Sequence, residues 1–336
     1  MKTIKLLFIL LAAAAISGCS GKGINLKSSV SGKAGEVVVV TNKGNWETEA
    51  GAALKSVLAV DYPFLPQKEP AFTLINIPES AFSSIFQKHR NIVILKTGEN
   101  FTEPKINIQD DIWAAPQTVV SITAPTEAEA AALILQKKDL LFNTLEQAER
   151  NRVIRNSVKY EETSLRKLVN KEFGGSPYFP KGYSLKKQAD NFVWISYETT
   201  YTNQGIFIYT LPYKDSTSLQ PENILAGMNE VMEKYVPGMI ENSYMTISNY
   251  QMPQMKWIRY KKMDFAEIRG FWEVQNDFMG GPFVAHIFYD KKTNSLLVLE
   301  GFVYSPRYDK RNYLRQVESI IYSFSWDNEI IKRTEE

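Results

Sequence analysis

Few side chains of this chain can do metal or redox chemistry. It contains two histidines, His89 and His286, and a single cysteine, Cys19. Protein zinc sites use several histidine or cysteine ligands, and thiol redox motifs need two cysteines, so this inventory excludes both kinds of site. The sequence also lacks the glycine-rich phosphate loops and the aspartate-rich calcium loop. It therefore predicts no cofactor and no metal site.

Both histidines have structural interpretations. His286 lies in an apolar strand segment, opposite in parity to Phe283 and Ala285, and a hydrogen-bonded strand histidine is favoured over a catalytic base. His89 lies at the end of a predicted short helix, where a cation complements the helix dipole. A capping role is therefore favoured for it.

Paired carboxylates are the one catalytic arrangement that the sequence leaves open. Glycoside hydrolases use two acidic side chains whose separation is spatial and is not visible in a sequence. Asp110 with Asp111, and Glu267 with Glu273, are the nearest candidates, although nothing distinguishes them from exposed strand and loop acids. Two acids facing a cleft would favour a carboxylate-dependent hydrolase acting on cell-envelope glycans. That is the alternative to a non-catalytic binding role, which the sequence favours.

Cys19 stands at the end of a short hydrophobic leader. The leader begins with lysines, continues through apolar residues 6–16, and ends with small residues before the cysteine. Its apolar stretch is much shorter than the roughly 20 residues that a transmembrane helix needs. Residues 16–19 (Ile-Ser-Gly-Cys) resemble the lipobox of bacterial lipoproteins. The resemblance implies that residues 1–18 are a signal peptide and that the protein is attached to the membrane by a lipid anchor on Cys19.

The residues after Cys19 bear on location. Ser20 follows the cysteine directly, in place of the acidic residue that retains some lipoproteins in an inner membrane. The short acidic run that resembles a surface-export signal is also absent. By these resemblances we place the protein on the periplasmic face of an outer membrane.

Charge balance argues against a nucleic-acid partner. The whole chain has 39 Lys and Arg against 37 Asp and Glu. The leader holds Lys2 and Lys5 and no acid, so residues 19–336 carry 37 of each and no net charge. A neutral body lacks the cationic surplus that neutralises phosphates.

The length and hydrophobic pattern predict two domains in an α+β fold. An N-terminal α/β-type sandwich, including a long helix, is predicted over residues 36–172, and a mainly antiparallel C-terminal sheet with flanking helices over 173–326. Residues 19–35 are rich in Gly, Ser and Lys and predict a flexible tether. Residues 327–336 form a charged tail.

Several elements are predicted from periodicity and capping. Val37–Val40 is a β-branched run typical of a buried strand. A capping box at Thr126 begins one long helix, or two collinear helices, bridging the halves. In the strand predicted over 265–275, alternation places Glu267, Arg269 and Glu273 on the face opposite the core. A helix over 221–235 and a final amphipathic helix are also predicted.

A loop between two predicted strands is the candidate docking site. It contains Phe278, Met279, Gly280, Gly281 and Pro282. Apolar side chains beside a glycine pair would form an exposed lip suited to docking. Alternatively, the glycines supply positive φ while the apolar side chains fold onto the core. Both interpretations stay open at this stage.

Four parts of the chain carry a family resemblance. They are the lipobox leader, residues 111–117 (Asp-Ile-Trp-Ala-Ala-Pro-Gln), residues 179–183 (Phe-Pro-Lys-Gly-Tyr), and residues 269–273 together with 279–283. These resemble a family of lipoproteins from the Bacteroidetes group known as a domain of unknown function. The resemblance implies an outer-membrane or periplasmic setting and brings no activity, cofactor or catalytic residue. The order of C-terminal elements is also similar to the PsbP-like α/β/α sandwich, which implies binding or assembly.

These observations together lead to one expected function. We expect a lipid-anchored envelope protein with a non-catalytic binding or assembly role in the periplasm. Its body would bind another envelope protein or a small apolar or sugar ligand.

Overall fold

The computed structural model describes residues 27–326, and these adopt the predicted α+β fold with a sheet in each half. Among those residues, no helix combines the length and apolar character needed to cross a membrane. Cys19, the leader and the charged tail lie outside the described residues. Lipidation of Cys19 therefore stays a prediction.

The N-terminal half is built around a mixed sheet. Its elements are, in chain order, β1 (Ser28–Ser29), β2 (Glu36–Val40), α1 (Lys43–Glu47), α2 (Glu49–Leu58), β3 (Thr73–Ile77), α3 (Ser84–Gln87), β4 (Asn91–Thr97), β5 (Lys105–Asp110), β6 (Ala114–Ala115), β7 (Thr118–Ala124), α4 (Glu127–Gln136), α5 (Lys138–Lys159) and α6 (Thr163–Phe173).

Five strands form this sheet, in the order β3-β2-β4-β7-β5. The first four are parallel, and β5 is an antiparallel edge strand. The β-branched run of β2 is buried on both faces: Val37 and Val39 contact the core shared with the helices, and Val38 and Val40 contact a smaller apolar cluster. Continuous apolar strands of this kind are typical of parallel sheets covered on both sides.

The bridge between the halves differs from the prediction. Three helices, α4, α5 and α6, stand where one long helix or two collinear helices were expected. The helix cap at Thr126 is confirmed, because Thr126 Oγ1 accepts a hydrogen bond from the Glu129 N–H at 3.2 Å. The α4 helix ends at Gln136, and α6 begins only after the break at residues 160–162.

Part of the stretch predicted to be a flexible tether, residues 19–35, makes fixed contacts with the N-terminal half. Ser28 and Ser29 pair in parallel with β6, and the Ser31 N–H donates to the Lys88 carbonyl at 2.8 Å. Composition suggested a tether because Gly, Ser and Lys are common in linkers, but these contacts depend on backbone groups that composition does not reveal.

The C-terminal half is built around an antiparallel sheet. Its elements are β8 (Gly175–Ser176), β9 (Ser184–Ala189), β10 (Phe192–Glu198), β11 (Asn203–Pro212), α7 (Pro221–Tyr235), β12 (Met245–Ile247), β13 (Gln254–Tyr260), β14 (Met263–Val274), β15 (Gly280–Asp290), β16 (Ser295–Tyr304), α8 (Arg311–Tyr322) and β17 (Ser325–Trp326).

Eight strands form this sheet, in the order β12-β14-β15-β16-β11-β10-β9, with β13 paired to β14. One face packs against α7 through Ile224, Met228 and Met232. The other face packs against α8, and its apolar side chains join those of the N-terminal sheet and α5 in a single cluster. The two halves therefore share one core.

Because helices cover both faces of this sheet, the prediction for β14 is corrected. Ala266 and Ile268 face the α7 side, as alternation predicts, but Glu267 on the opposite face is only 1% exposed. The residues on that face are covered by α8, so Glu267 is buried. Of the three polar residues predicted on that face, only Glu273, near the end of the strand, is exposed.

Candidate functional site

The predicted docking loop combines both interpretations left open by the sequence. Phe278 is fully exposed, whereas Met279 is partly buried and packs on the core beneath α7. The turn is fixed by hydrogen bonds from Val274 N–H to the Met279 carbonyl at 2.8 Å and from Phe278 N–H to Asp277 Oδ1 at 2.6 Å. One apolar side chain thus points away from the core, and its neighbour forms part of a wall.

The glycines of this loop do not supply positive φ. That conformation occurs at Asn276, with φ of 66°. Gly281 is needed for close packing instead, because a Cβ there would lie 2.1 Å from the Val303 carbonyl oxygen and 3.0 Å from Trp272 Nε1. Because glycine has no Cβ, the Trp272 indole can donate to the Val303 carbonyl at 3.3 Å. The glycine therefore positions a tryptophan beside the loop.

A second apolar loop lies against the first. It follows α7 and contains Met239 and Ile240, which are 88% and 53% exposed. Two hydrogen bonds connect the loops: Gln275 N–H donates to the Tyr244 carbonyl at 2.9 Å, and Asn276 Nδ2 donates to the Asn242 carbonyl at 3.4 Å. Met239, Ile240 and Phe278 are thus exposed apolar side chains on two joined loops, and we call them the apolar rim.

Beside this rim is a pocket of about 160 Å³, which we call the tryptophan pocket. It lies at the C-terminal end of α7, on the α7 face of the sheet. Aromatic packing holds its walls, with the Trp272 ring 5.5 Å from Phe302 and 6.2 Å from Tyr304 between centroids. The lining residues are Trp194, Asn203, Val236, Pro237, Gly238, Met239, Met245, Trp272, Val274, Met279, Phe302 and Tyr304.

Two polar atoms of the lining residues are buried and make no hydrogen bond within residues 27–326. They are Trp194 Nε1, a donor, and Asn203 Oδ1, an acceptor. Buried polar atoms are usually hydrogen-bonded, and leaving one unpaired costs about 1 to 3 kcal/mol. An apolar pocket with one unpaired donor and one unpaired acceptor suits an apolar group attached to an amide.

Sequence reasoning found the loop but missed most of the pocket. Phe278, Met279 and the glycine pair were singled out because they follow one another in the chain. Trp194, Met245 and Phe302 come from three other strands that meet only in the folded sheet. Their one signal in the sequence is the concentration of tryptophan in the second half.

Asp110 and Asp111 line one pocket of about 300 Å³, whereas Glu267 and Glu273 do not share a pocket in the described chain. All four acids have structural partners. Asp110 Oδ1 accepts from the Thr118 hydroxyl at 2.9 Å, and Asp111 Oδ1 accepts from the Gln117 N–H at 2.7 Å, so both shape a turn. Glu273 is exposed and accepts from the Ser248 hydroxyl at 2.6 Å. Glu267 lies elsewhere, in a buried network of charges.

That network lines a cleft of about 340 Å³ between the halves. Arg269 donates to Glu267 through Nε at 2.9 Å and also to Glu318. Glu318 further accepts from Arg150 Nη2 at 3.1 Å and from the Tyr62 hydroxyl at 3.0 Å. We call these five residues the charged network. Two acids facing one cleft are what a carboxylate-dependent hydrolase requires.

The protonation state of Glu267 and Glu318 argues against carboxylate-dependent hydrolysis at this cleft. Burial alone would raise the pKa of Glu267 and of Glu318, but the Arg269 charge holds both pKa values below their ordinary range. Cleavage of a glycosidic bond needs one carboxyl group with a raised pKa to act as general acid. Glu267 and Glu318 are both held ionised, so this pair lacks the acid.

Both histidines are buried, and neither ring nitrogen of His286 makes the predicted hydrogen bond within the described chain. His286 is fully buried, with Nε2 3.4 Å from Glu267 Oε2, and burial lowers its pKa. His89 does not cap a helix as predicted. It is buried, its Nδ1 lies 3.2 Å from the Asn91 carbonyl, and its Nε2 lies 3.5 Å from Glu36. It therefore connects β4 to β2 rather than stabilising a helix end.

Comparison with known proteins matches the chain to two domain families and assigns it no activity. No curated protein matches this chain. Among solved structures, the human StarD13 (DLC2) lipid transfer and protein localization domain is similar at 12% identity. The match covers 48% of this chain and 95% of that chain, and its TM-score of 0.22 is too low to indicate a shared fold. Residues 30–158 match the family model of a domain of unknown function (DUF8532), and residues 162–323 match that of a second domain of unknown function (DUF4837). Each half of the chain thus resembles an uncharacterised domain family.

Proposed function

We propose that this chain is a lipid-anchored envelope protein that binds an apolar segment of another envelope protein at the tryptophan pocket. The observation that carries the proposal is the pocket itself, with its unpaired donor and acceptor and its exposed rim of Met239, Ile240 and Phe278. Exposed apolar patches of this kind commonly mark interaction sites.

The size of the pocket favours a protein segment over a free small molecule. Sites for drug-sized ligands usually enclose roughly 300 to 1,000 Å³, whereas this pocket encloses about 160 Å³. That volume suits one large apolar side chain, the usual anchor of a protein interface. Trp194 Nε1 and Asn203 Oδ1 would then pair with the carbonyl and N–H of the segment, while the rim would cover the flanking residues.

The proposal includes the location of the protein in the cell envelope. The lipobox resemblance around Cys19 and the Bacteroidetes lipoprotein resemblance support attachment to the periplasmic face of an outer membrane. The PsbP-like resemblance supports a binding or assembly role. A lipid anchor would confine the body to the membrane surface and raise its effective concentration near other anchored proteins.

Photo-crosslinking in intact cells tests this proposal. A photoreactive phenylalanine analogue at position 278 is expected to capture a partner, and the crosslinked partner peptide should contain a large apolar residue. A synthetic peptide of that segment should bind the purified protein. Phe278→Ser should weaken that binding roughly ten-fold, as expected for an interface hot spot, without changing the unfolding midpoint, because the side chain is fully exposed.

Ile85 supplies the matched control, since it is 75% exposed and lies in the other half of the chain. The same analogue at position 85 should capture nothing, and Ile85→Ser should leave peptide affinity unchanged. Cys19→Ala should reduce capture at position 278 if the lipid anchor brings the partners together. Docking at this pocket would be ruled out by equal capture at positions 278 and 85. It would also be ruled out if Phe278→Ser left the peptide affinity unchanged.

A further inference from the structure

A cavity of about 440 Å³ lies between the two halves of the chain, and we call it the interdomain cavity. Its walls come from residues 30–34, from α5, from the hairpin of β10 and β11, and from α8. The volume falls in the range of roughly 300 to 1,000 Å³ that is typical of small-molecule sites. It is separate from the tryptophan pocket, because Gln204 lines this cavity and Asn203 lines that pocket. Consecutive strand residues point to opposite faces of a sheet.

Three residues that line this cavity carry a buried polar atom without a partner in the described chain. Arg315 Nη1, Gln204 Oε1 and the Tyr183 hydroxyl are buried and make no hydrogen bond within residues 27–326. Their residues are 2%, 3% and 7% exposed and come from α8, from β11 and from the segment before β9. Unpaired buried polar groups are rare, and three on separate elements around one cavity indicate that a polar ligand completes them.

The charge of the lining selects an anion. The cationic residues Arg90, Arg152, Arg315 and Lys181 line the cavity, and Glu149 is the single acidic residue among the lining residues of the described chain. Both Arg90 and Arg152 contact Glu149, at 3.3 and 3.0 Å, so this one carboxylate is shared. Arg315 is itself paired with Glu146, behind the lining, through Nε and Nη2 at 2.8 and 2.7 Å. The four cations therefore face two carboxylates and keep a positive surplus, and Arg315 Nη1 has no hydrogen-bond acceptor within residues 27–326. Guanidinium groups favour planar carboxylates and phosphates.

The uncharged part of the lining favours a hydroxylated ring. Tyr183 and Tyr197 pack with their ring centroids 5.8 Å apart and form an aromatic wall. Such a ring has an apolar face beside a polar tip, which matches the apolar C–H face and the hydroxyls of a sugar. Gln204 Oε1 offers an acceptor and the Tyr183 hydroxyl offers both a donor and an acceptor.

We infer that the interdomain cavity binds a small anionic sugar, with Arg315 at its acidic group and Gln204 and Tyr183 at its hydroxyls. Glucuronate is a suitable probe because it carries one carboxylate on a sugar ring, and glucose is its neutral counterpart of nearly equal size. Titration calorimetry of the full chain in detergent is expected to show glucuronate binding that is at least ten-fold tighter than glucose binding and that weakens with added salt.

Two variants test the assignment without breaking a protein contact. Tyr183→Phe removes a hydroxyl and Gln204→Leu removes an amide, and neither group has a hydrogen-bond partner in the described chain, so neither change should lower the melting temperature. Each should weaken glucuronate binding about five- to ten-fold, the effect of one lost hydrogen bond. Tyr289→Phe is the control, because that hydroxyl donates to Asn294 at 2.9 Å on a different hairpin and its loss should leave binding unchanged.

Three results would overturn the inference. Absence of binding by glucuronate at millimolar concentration would show that ordered water alone completes the unpaired atoms. Equal affinity for glucose and glucuronate would remove the role of the positive lining. Unchanged glucuronate affinity in both cavity variants would place the sugar elsewhere on the protein.

Discussion

Replacing Arg269 by alanine is expected to lower the free energy of unfolding by about 3 to 5 kcal/mol. Arg269 bonds to both Glu267 and Glu318, whose side chains are almost completely buried. Without it, Glu267 loses its closest buried cation, and Glu318 keeps the Tyr62 hydroxyl and, as its one cation in the described chain, Arg150. Breaking a buried ion pair by removing one partner is costly because the remaining charge stays desolvated. Urea unfolding at neutral pH, followed by tryptophan fluorescence, measures the loss.

Arg259 on the neighbouring strand is the matched control. It lies 3.7 Å from Asp264, but the two side chains are 77% and 63% exposed. Exposed pairs contribute about 0 to 1 kcal/mol, so Arg259→Ala should change stability far less. Adding Glu267→Gln to Arg269→Ala should recover part of the loss, because it removes one of the stranded charges. If the two arginine variants were equally stable, the charged network would not stabilise the fold.

The charged network also connects the two halves. Arg150 belongs to α5 and Tyr62 precedes β3, whereas Arg269 and Glu318 belong to the C-terminal half. The Arg150 guanidinium also lies 3.7 Å from the Tyr322 ring centroid. Since the apolar core is shared as well, Arg269→Ala should shift a single unfolding transition rather than release one half.

The sequence predicts those elements whose own residues determine them. The Val37–Val40 run, the Thr126 cap and the helix at Pro221–Tyr235 were all found, because burial on both faces, a side-chain cap and a proline at the first helical turn are local signals. Two polar strands were missed. The burial of β5 and β9 is low along most of their length, and they are strands because a neighbouring strand offers them backbone hydrogen bonds.

The candidate sites depend even more on contacts between distant parts of the chain, which the sequence does not show. Alternation on β14 correctly separated Ala266 from Glu267, but it could not show that α8 covers the second face. Glu267 therefore looked like an exposed acid and is a buried one. The exposed Phe278 was predictable as one alternative from its glycine-rich loop, whereas the partners of Trp194 and of Tyr183 depend on contacts between distant strands and helices.

Glu300 leads to the second large prediction, a loss of stability as the pH rises. It lies on β16 on the same sheet face as Val298 and Phe302, fully buried, and its only hydrogen-bond partner in the described chain is the Tyr209 hydroxyl at 2.8 Å. Burial raises its pKa from 4.5 to about 7, although the Tyr209 hydrogen bond opposes the shift. Between these two values the folded protein holds a proton that the unfolded chain has released. Stability should therefore fall as the pH rises through this window, by roughly 3 kcal/mol in total.

Glu300→Gln isolates this effect, because the amide oxygen still accepts from Tyr209 and carries no charge. Urea unfolding at about pH 5 and at about pH 8 should show similar stabilities for the wild type and the variant at the lower pH, and a variant more stable by roughly 3 kcal/mol at the higher pH. Other titrating groups, including His286, contribute equally to both proteins and cancel in the difference. The exposed Glu241→Gln should follow the wild type at both pH values. If Glu300→Gln also followed the wild type, the folded protein would hold Glu300 in the same protonation state as the unfolded chain. The buried carboxylate would then need a compensating group that Tyr209 alone does not supply.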